Sequence, residues 1–546
     1  MTIRRCVTGT LCLLWSGCIL AQSGAGPAST PAAATFEAAD VHVSPFERYP
    51  IVEGGNLSGD RFLLYQTTMS QIIADAYDVD PANVQGGPSW LDWDRFDIVG
   101  KAPPTTSRPE IRRMLQSLLA HRFGLVVHTA SVPTTVYVLA APQGKGKLKE
   151  AQATGDPRCE AQPAPAVPDA VPRIRITCHN ETMAELARNL HAWGTGYLGY
   201  ITKPVVDSTG LKGEYDFDLE WTPPLQLERA GPDGVTLIDA VNKQLQLKLS
   251  LESIQQPALV VDRVNETPTP NAPDLAKVMP PLPPPQFEVA VIKPYKEGEK
   301  RQRGFGGDRV NIGGATLKAL ILDAWYLDPF DEEALVGAPK WLDQDRFDIS
   351  AELAAGDTEG PASGRPQLLE HQWQHLLRGL IEDRFQMKDH WEDRTITGYR
   401  LVAANPRLTK GDPKGRTRCD EGPGPDGKDP RRTDPSRNRL VTCQNMTMAE
   451  LGVQLQSFAG GYIYRTVTDD TGLKGPYNFT LSFSGVDHFL PGAQPSGNSS
   501  SQPSEPNGAI TVFDALREQL GLKLEKEKRP GRVLVIDQIS EQPTAN

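Results

Sequence analysis

Asp92, Asp94 and Asp97 sit in one short phrase, "WLDWDRFDI", with Arg95 among them and Trp90 at its head. The phrase returns as "WLDQDRFDI", which supplies Trp341, Asp343, Asp345, Arg346 and Asp348. Paired carboxylates can provide the acid and the base of a hydrolytic step on a sugar polymer, and a neighbouring tryptophan suits stacking on a sugar ring. The same residues also read as scaffold. "GGP" ahead of the first phrase signals a turn, after which Trp90 and Leu91 would cover a core. Asp94 and Arg95 would form a surface ion pair, and "RFDI" would open a strand with Phe96 and Ile98 on opposite faces. No third catalytic partner stands at a recognisable spacing. The expectation is scaffold first, a binding surface second (Trp90, Asp92, Asp94, Arg95, Trp341, Asp343, Asp345 and Arg346) and catalysis last, with no catalytic residue assigned.

Other reactive residue types give no further site. His371 and His375 in "HQWQH" lie one helical turn apart, a metal-binding spacing, but no HExxH glutamate accompanies them and the first half of the chain has Pro109 and Arg113 instead. His128 and His390 stand at matching places, yet no G-x-S-x-G or positioned thiol provides a nucleophile. "GFGGDRVNIGG" (304–314) lacks the lysine and the strand-to-helix context of a phosphate loop. No metal and no cofactor is expected.

The first residues read as an export signal: Arg4 and Arg5, an apolar run from Val7 to Leu20, and cleavage after Ala21. "WSGC" offers the rival reading of lipid attachment at Cys18, with Trp15 ill-suited to it. The expected location is periplasmic or secreted. The apolar run is too short for a comfortable membrane span. Cys159, Cys178, Cys419 and Cys443 remain after cleavage, and four cysteines in an oxidising compartment allow three pairings. The repeat described next favours Cys159–Cys178 and Cys419–Cys443. Formal charge is −11, and −13 once Arg4 and Arg5 leave with the signal. Such a charge, without any long Lys/Arg run, opposes binding to nucleic acid or anionic lipid.

The elements that must position these residues occur twice in the same order. "TCHNETMAEL" (177–186) pairs with "TCQNMTMAEL" (442–451), "VVDSTGLKGEYDFDLEW" (205–221) with "VTDDTGLKGPYNFTLSF" (467–483), and "LVVDRV" (259–264) with "LVIDQI" (534–539). The organisation read from this is a signal at 1–21, a disordered leader at 22–35, one domain at 36–265, a proline-rich semi-rigid linker at 266–286 and a second domain at 287–540. "YDFDLEW" alternates as a strand with one buried face. Thr182 with Glu185, Thr447 with Glu450, and Thr68 with Gln71 form helix-starting capping boxes. "QLQLKLSLE" and "LVVDRV" read as two separate strands, and Gln246 replaces the turn glycine Gly521 of the other copy. Two segments of the second copy, "GPGPDGKDPRRTDPSRN" and "GAQPSGNSSSQPSEPNG", read as exposed loops. The fold class is α+β: two tandem homologous domains, each with mixed or antiparallel sheets and helices packed on one face.

The ordered motifs "G-x-P-x-W-L-D-x-D-R-F-D-I", "T-M-A-E-L", "V-V-D-x-T-G-L-K-G-x-Y-D-F-x-L-E-W" and "F-D-A-L-x-E-Q-L-G-L-K-L-E" resemble a large paralogous family of exported acidobacterial proteins without assigned function. Nearly all of 36–265 and 287–540 takes part, so the chain looks like two such domains in tandem. The later half of each copy is also similar to the short N-terminal modules of secretins and TonB-dependent receptors, which bind partners and do no chemistry. In some relatives the domain looks fused behind a membrane metallopeptidase module of the antibiotic-sensor type, which this chain lacks. The resemblance offers no catalytic residues. It implies a noncatalytic binding or interaction protein with an envelope protein or polymer as partner; the alternatives are a secreted polysaccharide hydrolase using the Asp cluster and a periplasmic sensory module.

Overall fold

Alternating apolar residues build three small sheets in each copy rather than one large one. The computed structural model describes residues 34–45, 52–152, 155–162, 171–195, 199–281, 287–296, 298, 303–306, 309–353, 370–489 and 509–544. The export signal, nearly all of the leader and the second insert (492–508) lie outside the described residues.

In the first copy an antiparallel front sheet has the order Ala38–Val43, Arg95–Lys101, Arg61–Thr68, Glu53–Ser58. Helices Met69–Tyr77 and Arg108–Phe123 bury Ile72, Ile73, Ile111, Leu115 and Phe123 against its inner face. A back sheet has the order Lys149–Glu150, Tyr215–Trp221, Ile174–Glu181, Arg158–Gln162. Tyr215, Phe217, Leu219 and Trp221 are all buried, as their alternation predicts, beneath helix Met183–Gly194. The second copy repeats both strand orders. The two copies thus form an α+β, two-domain architecture.

A long two-stranded ribbon joins the two halves of each copy: Val126–Ala140 with Lys248–Arg263, and Lys388–Ala403 with Leu522–Gln538. Leu259 and Val261 at one end belong to the front core, and Tyr137, Leu139 and Leu249 at the other to the back core. The separate strands expected from "QLQLKLSLE" and "LVVDRV" are therefore one. The polar stretch between them, including Pro257, stays extended while bridging two cores. The missing turn glycine also has no effect on the path. Gln246 holds φ 59° where Gly521 holds 67°, so the helical segment stops the same way in both copies.

The local signals read from the sequence are in place. Glu185 accepts from the Thr182 amide at 2.9 Å and Glu450 from that of Thr447 at 2.7 Å, completing both capping boxes. Thr68 and Gln71 form a third. Disulfides Cys159–Cys178 and Cys419–Cys443 link directly opposed residues of neighbouring back-sheet strands. Residues 266–281 are not a free spacer. Asn271 accepts from the Val41 amide of the edge strand at 3.1 Å, Arg122 donates to the Thr269 carbonyl, and Met279 is buried. An edge strand with unpaired amides is thereby covered by the chain's own linker.

Candidate functional site

The repeated phrase begins as a short 3-10 turn, Ser89–Asp92 or Lys340–Asp343, whose leucine (Leu91 or Leu342) is fully buried. Trp90 is half-buried and meets the edge of Phe96 at 6.1 Å, and Trp341 packs on the matching core. The strand that follows lies beside a bulged strand. The bulged residue is Gln66 in one copy and Gly314 in the other, at φ 50° and 67°. Asp97 accepts from the Gln66 amide at 2.9 Å and Arg95 donates to the Gln66 carbonyl. Asp348 accepts from the Gly314 amide at 2.8 Å and Arg346 donates to its carbonyl at 2.7 Å. The "R-x-D" pair thus holds both polar groups of a backbone unit that the ladder leaves unpaired. Phe96 and Ile98 are both fully buried in one core, correcting their assignment to opposite faces. Residues two apart on a strand share a face.

Asp97 is buried and also accepts from Ser44 Oγ at 2.5 Å, with His42 Nε2 3.4 Å away. Burial pushes its carboxyl up, but bonds from His42, Ser44 and the Gln66 amide outweigh this and leave it below its ordinary value. His42 is raised, chiefly by its bond to Asp97. Lys293 takes the place of His42 opposite Asp348.

The outward carboxylates do not converge. Asp92 receives the Arg416 guanidinium of the second copy through two nitrogens, with Arg418 at 3.4 Å. Its counterpart Asp343 meets Lys318 of its own copy at 3.0 Å. Asp94 is pushed up to about 6 by burial and by the Glu266 carboxylate it touches. The surface expected at Trp90, Asp92, Asp94 and Arg95 is therefore not open. The tryptophan serves the core, the arginine serves the bulge, and Asp92 lies inside the contact between copies. Trp341 and Arg346 are used in the same way as their counterparts.

That contact is built by the segment 416–437, whose later part the sequence suggested as an exposed loop. Thr417 N donates to Ser89 Oγ at 3.0 Å, and Lys203 pairs with Asp420 at 2.8 Å. Arg431 and Asp429, 3% and 4% exposed, pair at 2.7 Å. Arg431 stacks 4.6 Å over the Tyr200 ring and donates to the Gly199 carbonyl. Arg432 reaches Asp239 at 2.8 Å. From the other side Trp93 packs into the back core of the second copy. No local sequence signal indicated this: the arginines of "RTRCDE" and "DPRRTDPSRN" stand among Asp420, Glu421, Asp429 and Asp434, as solvated arginines do.

Other repeated groups are paired with each other. His128 meets Asp262 at 2.9 Å and His390 meets Asp537 at 2.8 Å, across the exposed ribbon. Among the described residues, one group of potential metal ligands lies close together, Cys159, Cys178 and Glu181, and both its sulfurs are spent in the disulfide.

Residues 70–264 and 318–539 each match a family described as a protein of unknown function, DUF3738. The chain belongs to this family. It carries two tandem DUF3738 domains, and no curated protein and no solved structure matches it. Among the described residues no helix is long and apolar enough to cross a membrane.

The two DUF3738 copies differ at the end of the helix that starts at the "TMAEL" capping box. In the first copy Trp193 and Trp221 stack at 5.9 Å, leaving a cavity of about 80 Å³. In the second copy phenylalanines stand at both positions, Phe458 and Phe483, and the cavity measures about 470 Å³. Phe330 and Val486 complete its apolar wall, and Asp328, Glu421 and Arg439 also line it. None of Asp92, Asp94, Asp97, Asp343, Asp345 and Asp348 lines either cavity.

Proposed function

We propose that this chain is an exported, noncatalytic binding protein in which the first domain is a support and the second presents the binding side. The observation that carries this reading is the paired cavity: nearly closed by two stacked tryptophans in one copy, ligand-sized and aromatic in the other. The disulfides suit a periplasmic or secreted location, where an envelope protein or polymer is the partner. The resemblance to exported acidobacterial proteins and to the short interaction modules of secretins and TonB-dependent receptors points the same way.

One observation favours a hydrolase. Asp94, at about 6, could deliver a proton near neutral pH. Its carboxyl touches that of Glu266, however, whereas glycosidase carboxyls stand at least about 5 Å apart with the scissile bond between them. The deciding experiment incubates the purified mature protein with peptidoglycan, polysaccharide and membrane-protein fractions of the envelope. Retention of one fraction, intact, and its loss in the Phe458→Trp/Phe483→Trp variant is the expected result. Shortening of a polymer, abolished by Asp94→Asn and Asp345→Asn, would replace this reading with hydrolysis.

A further inference from the structure

The enlarged cavity also differs in charge. Alignment on the paired cysteines places Glu421 where the first copy has Ala161, and Arg439 where it has Ile174. The apolar wall gains Phe330 in place of Ala82. One anion and one cation are therefore added to a cavity that Asp328 also lines and that lost two indole rings. Arg439 Nη2 donates to Glu421 Oε1 at 2.8 Å and lies 3.5 Å from the Phe458 carbonyl. Glu421 is half-exposed, while the Arg439 side chain is largely covered and stays close to the aromatic wall. A purely apolar ligand would leave this pair unused. A simple anion would meet Glu421 and Asp328, and a simple cation would meet Arg439.

Resting on the binding reading above, we propose that this cavity takes a free α-amino acid with a large apolar side chain. Such a molecule carries its carboxylate and ammonium on one carbon, matching an Arg–Glu pair whose charged atoms are already in contact. The carboxylate meets Arg439 and the ammonium meets Glu421. The side chain lies between Phe458, Phe483 and Phe330, in a volume within the range of small-molecule sites. Two charge-assisted contacts in a concave, partly desolvated place give discrimination against analogues that lack either charge, because each such analogue forms only one of the two.

The test titrates the intact mature protein with L-phenylalanine by calorimetry, alongside phenethylamine and 3-phenylpropionate, which each lack one charge. Saturable binding of phenylalanine is expected, with each analogue weaker by at least about tenfold. Arg439→Ile and Glu421→Ala, which install the residues the first copy already tolerates, should weaken phenylalanine to a similar degree, and Phe458→Trp/Phe483→Trp should abolish it. No saturable binding of phenylalanine to the wild-type protein overturns the proposal, as do analogues that bind as well as phenylalanine. If phenylalanine fails while an envelope fraction is still retained through the cavity, the ligand assignment falls alone. If retention is absent too, the binding reading falls with it.

Discussion

Asp92 and Asp343 occupy the same place in the repeated phrase, yet removing their charges should have very different consequences. The Arg416 guanidinium that meets Asp92 is 6% exposed, and Asp92 itself 21%. Asp92→Asn leaves that guanidinium buried beside Arg418 without its paired carboxylate and with only the more distant field of Asp420, a loss of about 3–5 kcal/mol. Asp343 and Lys318 are 60% and 37% exposed, so Asp343→Asn removes a solvated pair worth about 0–1 kcal/mol. Arg416→Met combined with Asp92→Asn takes away both charges, and most of the loss should be recovered. Urea unfolding followed by tryptophan fluorescence reads all three variants. Because the Asp92 pair spans the two copies, its loss should also split a shared transition into two. Equal costs for Asp92→Asn and Asp343→Asn, within about 0.5 kcal/mol, would refute the assignment. A double variant whose cost equals the sum of its single substitutions would refute it as well.

Three further outcomes follow from the same geometry. His42 is raised, so its contribution is fully present below its ordinary value and fades as pH climbs through the folded value; Asp97 is lowered, so its contribution is present above the ordinary carboxyl range and fades as pH falls. His42→Lys, which copies Lys293 of the second domain, should therefore keep at pH 8 the stability that the wild-type protein sheds there, measured as Tm against pH. Asp94 is held at about 6, so stability falls as pH rises from its ordinary value through that point; Asp94→Asn should flatten this slope and raise Tm at pH 7. Cys419→Ala with Cys443→Ala opens a loop of 24 residues and should cost about 3 kcal/mol in denaturant unfolding, with faster proteolytic cleavage within 416–437 as a second readout.

What the sequence made legible was local or repeated. Capping boxes need only four residues, "YDFDLEW" needs only its alternation, and the disulfide pairing needed only the duplication. The bulge clamp was half-visible. Arg95 and Asp97 were singled out as charges, but their partner is a backbone unit about thirty residues earlier that no side-chain pattern announces. The ribbon was misread because Pro257 and its polar neighbours look like a break. The strand continues there because the stretch lies between two cores, where an exposed pair of strands needs no apolar face. The contact between copies was hidden for a different reason. It joins Asp92 to Arg416 and Tyr200 to Arg431 across more than two hundred residues, and nothing local distinguishes those arginines from solvated ones.

The same contact bears on self-assembly. It joins a turn on one copy to a hairpin on the other, two unlike surfaces of homologous domains, so it has no twofold axis on which to close. Among the described residues, the turn Lys340–Asp343 and the strand Arg158–Gln162 with its exposed Arg158 take no part in this contact. Were those two compatible, one molecule could seat the next without end, as a fibre. Residue-level mismatches oppose this. Asp156 stands where Arg416 does and would bring a carboxylate towards Asp343. Lys318, in the place of Ser70, already satisfies that carboxylate, and Gln344 replaces the Trp93 knob. Asp156→Arg, Lys318→Ser and Gln344→Trp, each installing a residue the other copy bears, would remove these mismatches.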